Sequence, residues 1–182
     1  MSTTPSTPTT GTAPTLWTTV ESPLGELLLT GVESASAPGG VALASLTMEG
    51  QRGAPDPRGM RRDPAAFAAV ARQLRAYFAG ELTVFDLEFT ESGSAFQRRV
   101  WDALAGIPYG ATRSYGELAE QLGVPREGLR ALGAAIGANP LLVVRPCHRV
   151  IGADGSMRGY AGGVERKRRL LEAEGALQPT LY

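Results

Sequence analysis

Two residues that can do chemistry lie side by side, at Cys147 and His148. They are the chain's single cysteine and single histidine among 182 residues. A free cysteine has a pKa of about 8.5 and is mostly protonated at neutral pH, so a nucleophilic thiol needs help from its neighbours. An imidazole that is itself held by a carboxylate can accept the thiol proton. The pair therefore predicts a reactive sulfur, although an arbitrary Cys-His pair is more often an inert part of a core.

Two carboxylates further along the chain could hold that imidazole. Glu172 and Glu174 both lie on a helix-like stretch, and the residues alone leave the choice between them open. One cysteine and one histidine cannot build a tetrahedral zinc site of the usual kind, so we expect no metal. One cysteine also excludes an internal disulfide, which fits a reducing, cytoplasmic compartment.

The segment before the cysteine is expected to deliver it to the core. The apolar run Leu141–Val144 predicts a short strand, and Pro146 ends any ladder pairing because it has no amide hydrogen. The thiol is thus expected at a strand end.

The N-terminal half predicts a small α/β unit. Leu16–Thr30 has the pattern of a β-hairpin, and Val41–Thr47 predicts a third strand. Gln51–Arg62 is expected to be loop. Asp63 and Pro64 begin a helix that ends at Gly80, with an apolar face formed by Phe67, Val70, Leu74 and Tyr77. The alternation Phe85, Leu87, Phe89 predicts a half-buried strand, and no chemistry is expected anywhere in this half.

The C-terminal half predicts mainly helices. One helix begins near Phe96 and ends near Gly106. The Ser114-x-x-Glu117 pattern is a capping box that starts a helix ending at Gly123. A further helix is expected from Pro125 to about Gly137, so helix, turn, helix is the predicted order. Its residues are unusually small, which favours either close packing or insertion into a nucleic-acid groove: Ala131, Gly133, Ala134, Ala135, Gly137 and Ala138.

Charge is unevenly divided although the formal net charge is zero. Residues 1–90 hold six arginines and nine acidic residues, a charge of −3, whereas residues 91–182 hold eleven arginines, one lysine and nine acidic residues, a charge of +3. The basic half contains the cysteine, which suits a polyanionic partner. No apolar run has membrane-spanning length, and the Thr/Pro-rich start is not a signal peptide.

The motif Pro146-Cys147-His148-Arg149-Val150, with Asn139-Pro140 before it and Gly159-Tyr160-Ala161-Gly162-Gly163 after it, resembles the O6-alkylguanine-DNA alkyltransferase family in its bacterial single-chain form. The resemblance covers about residues 16–175. It implies direct-reversal DNA repair, in which an alkyl group moves from O6-alkylguanine, or O4-alkylthymine, in double-stranded DNA to Cys147. Each molecule reacts once, without a cofactor, after the base has been flipped from the minor groove; a monomer is implied, with cooperativity left open.

The resemblance also implies the architecture. A tail at 1–15 precedes a ribonuclease-H-like α/β domain at 16–90 and a linker at 91–94. A mainly α domain at 95–176 follows, with a helix-turn-helix of winged-helix-like form, and 177–182 is a second tail.

Roles in catalysis and in the alkyl pocket follow from the same resemblance. Cys147, a water, His148 and Glu174 form a proton path, and Glu172 is the bystander. Tyr115 crowds the 3′ phosphate and helps to protonate the leaving guanine, while Asn139 braces the turn around the site. The pocket is implied to consist of Pro146, the Val150 carbonyl, the Tyr160 ring and the Ala161 amide.

Roles in DNA binding are implied for the helix that is rich in small residues, expected from Pro125 to about Gly137. Arg130 enters the base stack, while Ala131, Gly133 and Ala134 approach the groove. Arg149 is either structural or phosphate-facing. Three residues depart from the family pattern and put DNA affinity in doubt: Arg145, Leu129 and Ile136.

Two other classes of function compete. A lesion sensor that binds alkylated DNA without reacting is disfavoured, because such relatives lack the acceptor cysteine. A cysteine hydrolase would need an oxyanion hole, and its base normally comes from a distant part of the chain rather than from the adjacent residue.

Overall fold

Five strands form one mixed sheet in the computed structural model, which describes residues 12–178. The bounds are β1 Leu16–Ser22, β2 Gly25–Glu33, β3 Val41–Met48, β4 Arg61–Arg62 and β5 Glu88–Phe89. Their order is β4-β1-β2-β3-β5. The three long strands are antiparallel, and the two short edge strands are parallel to their neighbours. The predicted hairpin and third strand are confirmed.

One helix covers this sheet. A 3-10 turn at Pro64–Phe67 leads into α1, Ala68–Phe78, and the Asp63 carboxylate accepts the Ala66 amide at 3.2 Å, as the sequence predicts for a helix cap. The predicted apolar face is buried at Phe67, Val70, Leu74 and Tyr77. Because this face packs into the main core, α1 is fixed in the fold along its whole length.

Two predictions in this half need correction. The predicted loop at Gln51–Arg62 ends in β4, which pairs with β1. The predicted strand at Phe85–Phe89 is a strand only at Glu88 and Phe89. The physical reason is Gln73 of α1, whose side-chain amide accepts the Asp86 N–H at 2.8 Å and donates to the Asp86 carbonyl at 2.9 Å. These bonds replace the pairing that a neighbouring strand would supply.

Four helices form most of the C-terminal half. They are α2 Ala95–Ala105, α3 Tyr115–Leu122, α4 Leu129–Gly137 and α5 Val164–Ala173. Complete capping boxes begin α2 at Ser94 and α3 at Ser114, and Gly123 ends α3 in the left-handed conformation, with φ of 66°. The helix expected from Pro125 is a 3-10 turn at Arg126–Gly128 before α4 begins.

The strand predicted at Leu141–Val144 does not form. Only Leu141 pairs, as a parallel bridge to Leu46 of β3, with the Leu46 amide donating to Pro140 at 2.9 Å. The chain then turns sharply, because Val143 has a φ of 70° and the Val144 amide donates to the Leu142 carbonyl at 2.8 Å. Cys147 therefore begins a 3-10 turn, Cys147–Arg149, rather than ending a strand.

A second small sheet, not foreseen from the sequence, completes the fold. Strand β6, Arg113–Ser114, pairs in parallel with β7, Val150–Ile151. This pairing ties the start of α3 to the residues just after the cysteine. Between residues 12 and 178, no helix is both long and apolar enough for a membrane span. Most of the predicted 1–15 tail, and residues 179–182 of the second tail, lie outside the described residues.

Candidate functional site

The turn that carries the cysteine is held by one asparagine. Asn139 donates from Nδ2 to the Arg145 carbonyl at 2.9 Å and to the Leu141 carbonyl at 3.3 Å, and its Oδ1 accepts the Leu141 amide at 3.0 Å. Pro146 follows in a tight turn, with the Cys147 amide donating to the Arg145 carbonyl at 2.8 Å. Asn139 therefore determines the path of the backbone into Cys147.

A buried carboxylate follows α5 and gathers four donors. Glu174 Oε1 accepts His148 Nε2 at 2.7 Å, the Tyr77 hydroxyl at 2.6 Å and Arg149 Nη2 at 2.9 Å, while Oε2 accepts Arg149 Nε at 2.9 Å. Burial alone would raise the pKa of Glu174, but the hydrogen bonds from His148, Arg149 and Tyr77 outweigh it and hold that pKa at about 2. The carboxylate is thus ionised at neutral pH, and Glu174 rather than Glu172 is the partner of the imidazole.

The ionised carboxylate decides which imidazole nitrogen carries the proton. Glu174 can only accept, so Nε2 of His148 must donate. Burial lowers the pKa of His148, more than Glu174 raises it, so the ring is neutral and Nδ1 holds a lone pair. Among the described residues Nδ1 has no hydrogen-bond partner. The arrangement leaves one basic nitrogen, on the residue that follows the cysteine, without a partner among the described residues, while Arg149 balances the charge of Glu174.

The thiol itself is buried and protonated. Cys147 is 4 % exposed, and burial raises its pKa to about 11, despite the opposing effects of the Asn139 side chain and of the charges on Lys167 and Arg145. The Arg145 guanidinium lies 4.9 Å from the Trp101 ring centre and 5.5 Å from that of Phe89, so it packs between aromatic rings instead of pointing to solvent. The sulfur therefore needs a base at the moment it attacks.

A direct test follows from the raised thiol pKa. We expect iodoacetamide to alkylate the folded protein at pH 7 on the order of 100-fold more slowly than it alkylates a free cysteine thiol, because the thiolate is scarce. The rate should rise about tenfold per pH unit up to pH 9, since the thiolate fraction grows by that factor below the pKa. Mass spectrometry measures alkylation at Cys147, the chain's single cysteine. The urea-unfolded chain, in which the thiol is exposed, serves as the reactive control. A rate that levels off near pH 7 would contradict the raised pKa.

One site residue escaped the sequence analysis. Lys167 of α5 is 1 % exposed and donates to the carbonyls of Val150 at 2.6 Å, Arg158 at 2.9 Å and Gly159 at 3.2 Å. Desolvation lowers the pKa of Lys167 to about 8, and the nearby thiol opposes that shift. The sequence does distinguish Lys167, because it is the single lysine in a chain with seventeen arginines. It holds two loops around the cysteine and places a positive charge near the sulfur.

A second overlooked residue comes from the N-terminal half, where no chemistry was expected. Tyr77 of α1 reaches Glu174 across the junction between the two halves, and its hydroxyl is one of the four donors to the carboxylate. The expectation of an inert N-terminal half is therefore wrong for Tyr77. No local pattern distinguishes it, because Tyr77 is also a regular member of the apolar face of α1.

Cys147 opens onto a cavity of about 120 Å³. Its lining is mainly apolar and joins α3, α4 and the loop after β7: Tyr115, Gly133, Ile136, Gly137, Cys147, Gly159, Tyr160 and Ala161. The loop lies close to β3, since a Cβ at Gly162 would come within 2.6 Å of Met48 Sδ. The Tyr160 hydroxyl is buried without a hydrogen-bond partner among the described residues.

A wider groove of about 600 Å³ adjoins this cavity and shares Tyr115, Gly133 and Gly159 with it. Arg130 and Arg158 also line the groove. The Tyr115 hydroxyl donates to the Arg158 carbonyl at 3.0 Å, so Tyr115 lies where cavity and groove meet. A planar molecule bound in the groove could therefore extend one ring into the cavity, towards the sulfur.

The other predicted residues separate into groups. Ala131 and Ala134 are exposed on α4 but line neither space. Leu129 lines the groove and Ile136 lines the cavity. Pro146 and Val150 do not line the cavity: Pro146 faces a different cleft, and Val150 is buried with its carbonyl bound to Lys167.

Arg149 also needs correction, because it is not free to bind phosphate. Its guanidinium is buried against Glu174 and donates from Nη1 to the Ile107 carbonyl at 2.6 Å. The structural alternative for Arg149 is therefore the right one, because a charge committed to a buried ion pair is unavailable to DNA.

Comparison with known proteins agrees with this geometry. Residues 95–176 match the family model described as 6-O-methylguanine DNA methyltransferase, DNA binding domain. A methylated-DNA–protein-cysteine methyltransferase of Mycolicibacterium paratuberculosis is 53% identical over 156 residues, covering 86% of this chain and 90% of the relative. A relative with the same name from Mycobacterium tuberculosis is 50% identical over 161 residues, covering 88% of this chain and 93% of the relative.

A solved structure is similar over most of its length. The crystal structure of Mycobacterium tuberculosis OGT in complex with DNA is 48% identical, with a TM-score of 0.79, and the match covers 88% of this chain and 93% of that one. Identity at this level over nearly the whole of both chains shows common descent. The chain belongs to the O6-alkylguanine-DNA alkyltransferase (methylated-DNA–protein-cysteine methyltransferase) family.

Proposed function

We propose that this chain repairs DNA by moving an alkyl group from O6 of guanine, and from O4 of thymine, onto Cys147. The observation that carries the assignment is the position of the thiol, which faces a cavity that opens into a groove lined by Arg130. Membership of the family supports the reaction class. The site residues present require no cofactor, because a thiol, a base and a proton donor are sufficient for the transfer.

The proton path follows from the tautomer of His148. Its Nδ1 lone pair accepts the Cys147 proton through a bridging water, and Glu174 stabilises the imidazolium that forms. The sulfur then attacks the alkyl carbon, the C–S bond forms and the C–O6 bond breaks. Burial raises the pKa of Tyr115, so its hydroxyl stays protonated. In the reaction it turns from the Arg158 carbonyl and donates to the departing guanine, and the imidazolium proton then restores the Tyr115 hydroxyl. Net, the thiol proton ends on the guanine, and the thioether is permanent, so each molecule acts once.

The DNA contact is assigned to α4 and its surroundings. Bases in a duplex are hidden, so the target nucleotide must leave the stack to reach Cys147. Arg130 is exposed and lines the groove, which supports its assignment as the residue that fills the vacated position. Gly133 keeps the face of α4 thin enough to approach a minor groove, where base readout is degenerate and binding is largely independent of sequence. Double-stranded DNA is the partner, and one monomer suffices for the reaction.

The domain division proposed for this function follows the chain. Residues 16–90 form a ribonuclease-H-like α/β domain, 91–94 a linker, and 95–176 the DNA-binding and alkyl-acceptor domain with a winged-helix-like helix-turn-helix. The succession of α3, a short connection and α4 supports the second assignment. A reducing, cytoplasmic location suits an unpaired thiol.

Intact-mass spectrometry tests the acceptor directly. After incubation with a duplex containing O6-methylguanine, we expect the protein to gain the mass of one CH2 group, with one equivalent consumed per molecule. Cys147→Ala should show no gain, and an unmodified duplex should give none with either protein. An adduct that survives Cys147→Ala would overturn the assignment, and tight lesion binding without any adduct would favour a lesion sensor instead.

A further inference from the structure

The hydroxyl of Tyr77 meets the same oxygen of Glu174 that holds the imidazole. Tyr77 donates to Oε1 at 2.6 Å, and His148 Nε2 and Arg149 Nη2 lie 2.7 Å and 2.9 Å from that atom, whereas Oε2 accepts Arg149 Nε. Tyr77 and His148 therefore compete, together with Arg149, for the electron density of one carboxylate oxygen. Hydrogen bonds to a charged acceptor are about twice as strong as neutral ones, so this competition is energetically significant.

The tyrosine is held in place by packing. Its ring centre lies 5.1 Å from that of Phe78, 5.3 Å from that of Phe85 and 6.1 Å from that of Tyr109. Tyr77 is also buried within the main core. Because the ring is enclosed on several sides, its hydroxyl cannot leave Glu174 without repacking the junction between the two halves of the chain.

We propose that Tyr77 is a positioning residue for alkyl transfer, through which the N-terminal half of the chain orients Glu174 and limits the basicity of His148. The inference rests on the roles assigned above to Cys147, His148 and Glu174. Tyr77 touches neither the thiol's cavity nor the groove, so it acts only through the carboxylate.

The physical argument concerns how strongly Glu174 attracts a proton on His148. When the Tyr77 hydroxyl is present, Oε1 shares its charge among three donors and binds the imidazolium less strongly. Without that hydroxyl, the carboxylate stabilises protonated His148 more, so the imidazole keeps its proton to higher pH and is a poorer acceptor at mildly acidic pH. The other charged or titratable groups around the pair are Arg149, Lys167, Tyr109, Tyr160 and Cys147.

Tyr77→Phe tests this, because it removes the hydroxyl and keeps the ring. We expect the acidic limb of the pH profile of single-turnover alkyl transfer to move to higher pH by on the order of half a unit. The reason is that the free energy of one hydrogen bond to a charged group is comparable to that of a pKa shift of about one unit. Transfer at pH 9 should stay close to that of the unmodified protein. The single histidine also gives one unambiguous imidazole signal in ¹⁵N NMR, whose Nε2 proton should move downfield as its bond to Glu174 strengthens.

Tyr109→Phe is the matched control. Tyr109 lies against Tyr77, but its hydroxyl donates at 3.3 Å to the Ala173 carbonyl and not to Glu174. Its removal should leave both the pH profile and the histidine signal unchanged. In a Glu174→Gln background, Tyr77→Phe should produce no further shift, because the carboxylate charge through which it acts is gone.

The outcomes separate the inference from the roles on which it rests. A Tyr77→Phe protein that is less stable but has an unshifted acidic limb would overturn the inference and leave Tyr77 as a packing residue. A shift of the same size in Tyr109→Phe would overturn it as well. If His148→Ala leaves the profile of the otherwise unmodified protein unchanged, the role of His148 as the base fails first.

Discussion

Glu174→Gln is expected to lower both the stability and the activity of this protein by large amounts. The substitution leaves the Arg149 guanidinium buried without its counter-charge, and removing one partner of a buried ion pair typically costs about 3–5 kcal/mol. The glutamine amide can also donate to His148 Nε2, which would move the imidazole proton to Nδ1 and remove the base. We therefore expect alkyl transfer to slow by about 10²- to 10⁴-fold, the usual contribution of a general base.

The stability effect should depend on pH in a defined direction. The pKa of Glu174 is depressed from 4.5 to about 2 on folding, so its contribution is fully present above pH 4.5 and is lost as pH falls towards 2. That shift corresponds to on the order of 3 kcal/mol. The difference between the unmodified and Glu174→Gln proteins, measured by urea unfolding, should accordingly shrink between pH 5 and pH 3.

Glu172→Gln supplies the control for this experiment. Glu172 lies on α5 two residues away but makes no side-chain hydrogen bond or ion pair within residues 12–178. Its replacement should change the free energy of unfolding by less than about 0.5 kcal/mol and leave transfer unaffected. Equal losses from both substitutions would contradict the assignment of Glu174.

Gly133→Leu is expected to abolish repair while the protein remains folded. Gly133 lines both the cavity and the groove, and a Cβ added there meets no atom within 4 Å. The Cβ of a leucine would therefore meet no clash, and the rest of its side chain would extend into the passage between DNA and Cys147. Because glycine is about 1 kcal/mol less favourable than a good helix former inside a helix, stability should be unchanged or higher by up to about that amount.

The expected loss of transfer to an O6-methylguanine duplex is about 100-fold or more, since small displacements of a reacting group already have effects of that size. Rapid-quench transfer assays and duplex-binding measurements would be combined with urea unfolding. Ala105→Leu is the matched control, because Ala105 is an exposed residue of α2 that lines neither space. Normal transfer by Gly133→Leu would show that DNA does not approach along α4.

Local features of the sequence predict most of the secondary structure correctly. The Asp63 cap and the Ser94 and Ser114 capping boxes act over three residues, so they can be predicted from the local sequence without knowledge of the fold. The apolar face of α1 can be predicted in the same way, because its apolar residues recur at the spacing of one helical turn. The failure at Leu141–Val144 has the opposite cause. An apolar run is compatible with a strand or a buried turn, and here Asn139 and the bridge to β3 select the turn.

What the sequence alone determined was the identity of the reacting pair: one thiol beside one imidazole, within a motif that specifies a family and its chemistry. The tertiary structure decided everything that depends on distant partners. It brought Glu174, which the family resemblance already implied, against the imidazole, buried Arg149 in an ion pair, and added Lys167 and Tyr77, the last from 97 residues away in the chain. Packing alone brings such distant groups within hydrogen-bond reach, and burial then fixes which of them carries a proton.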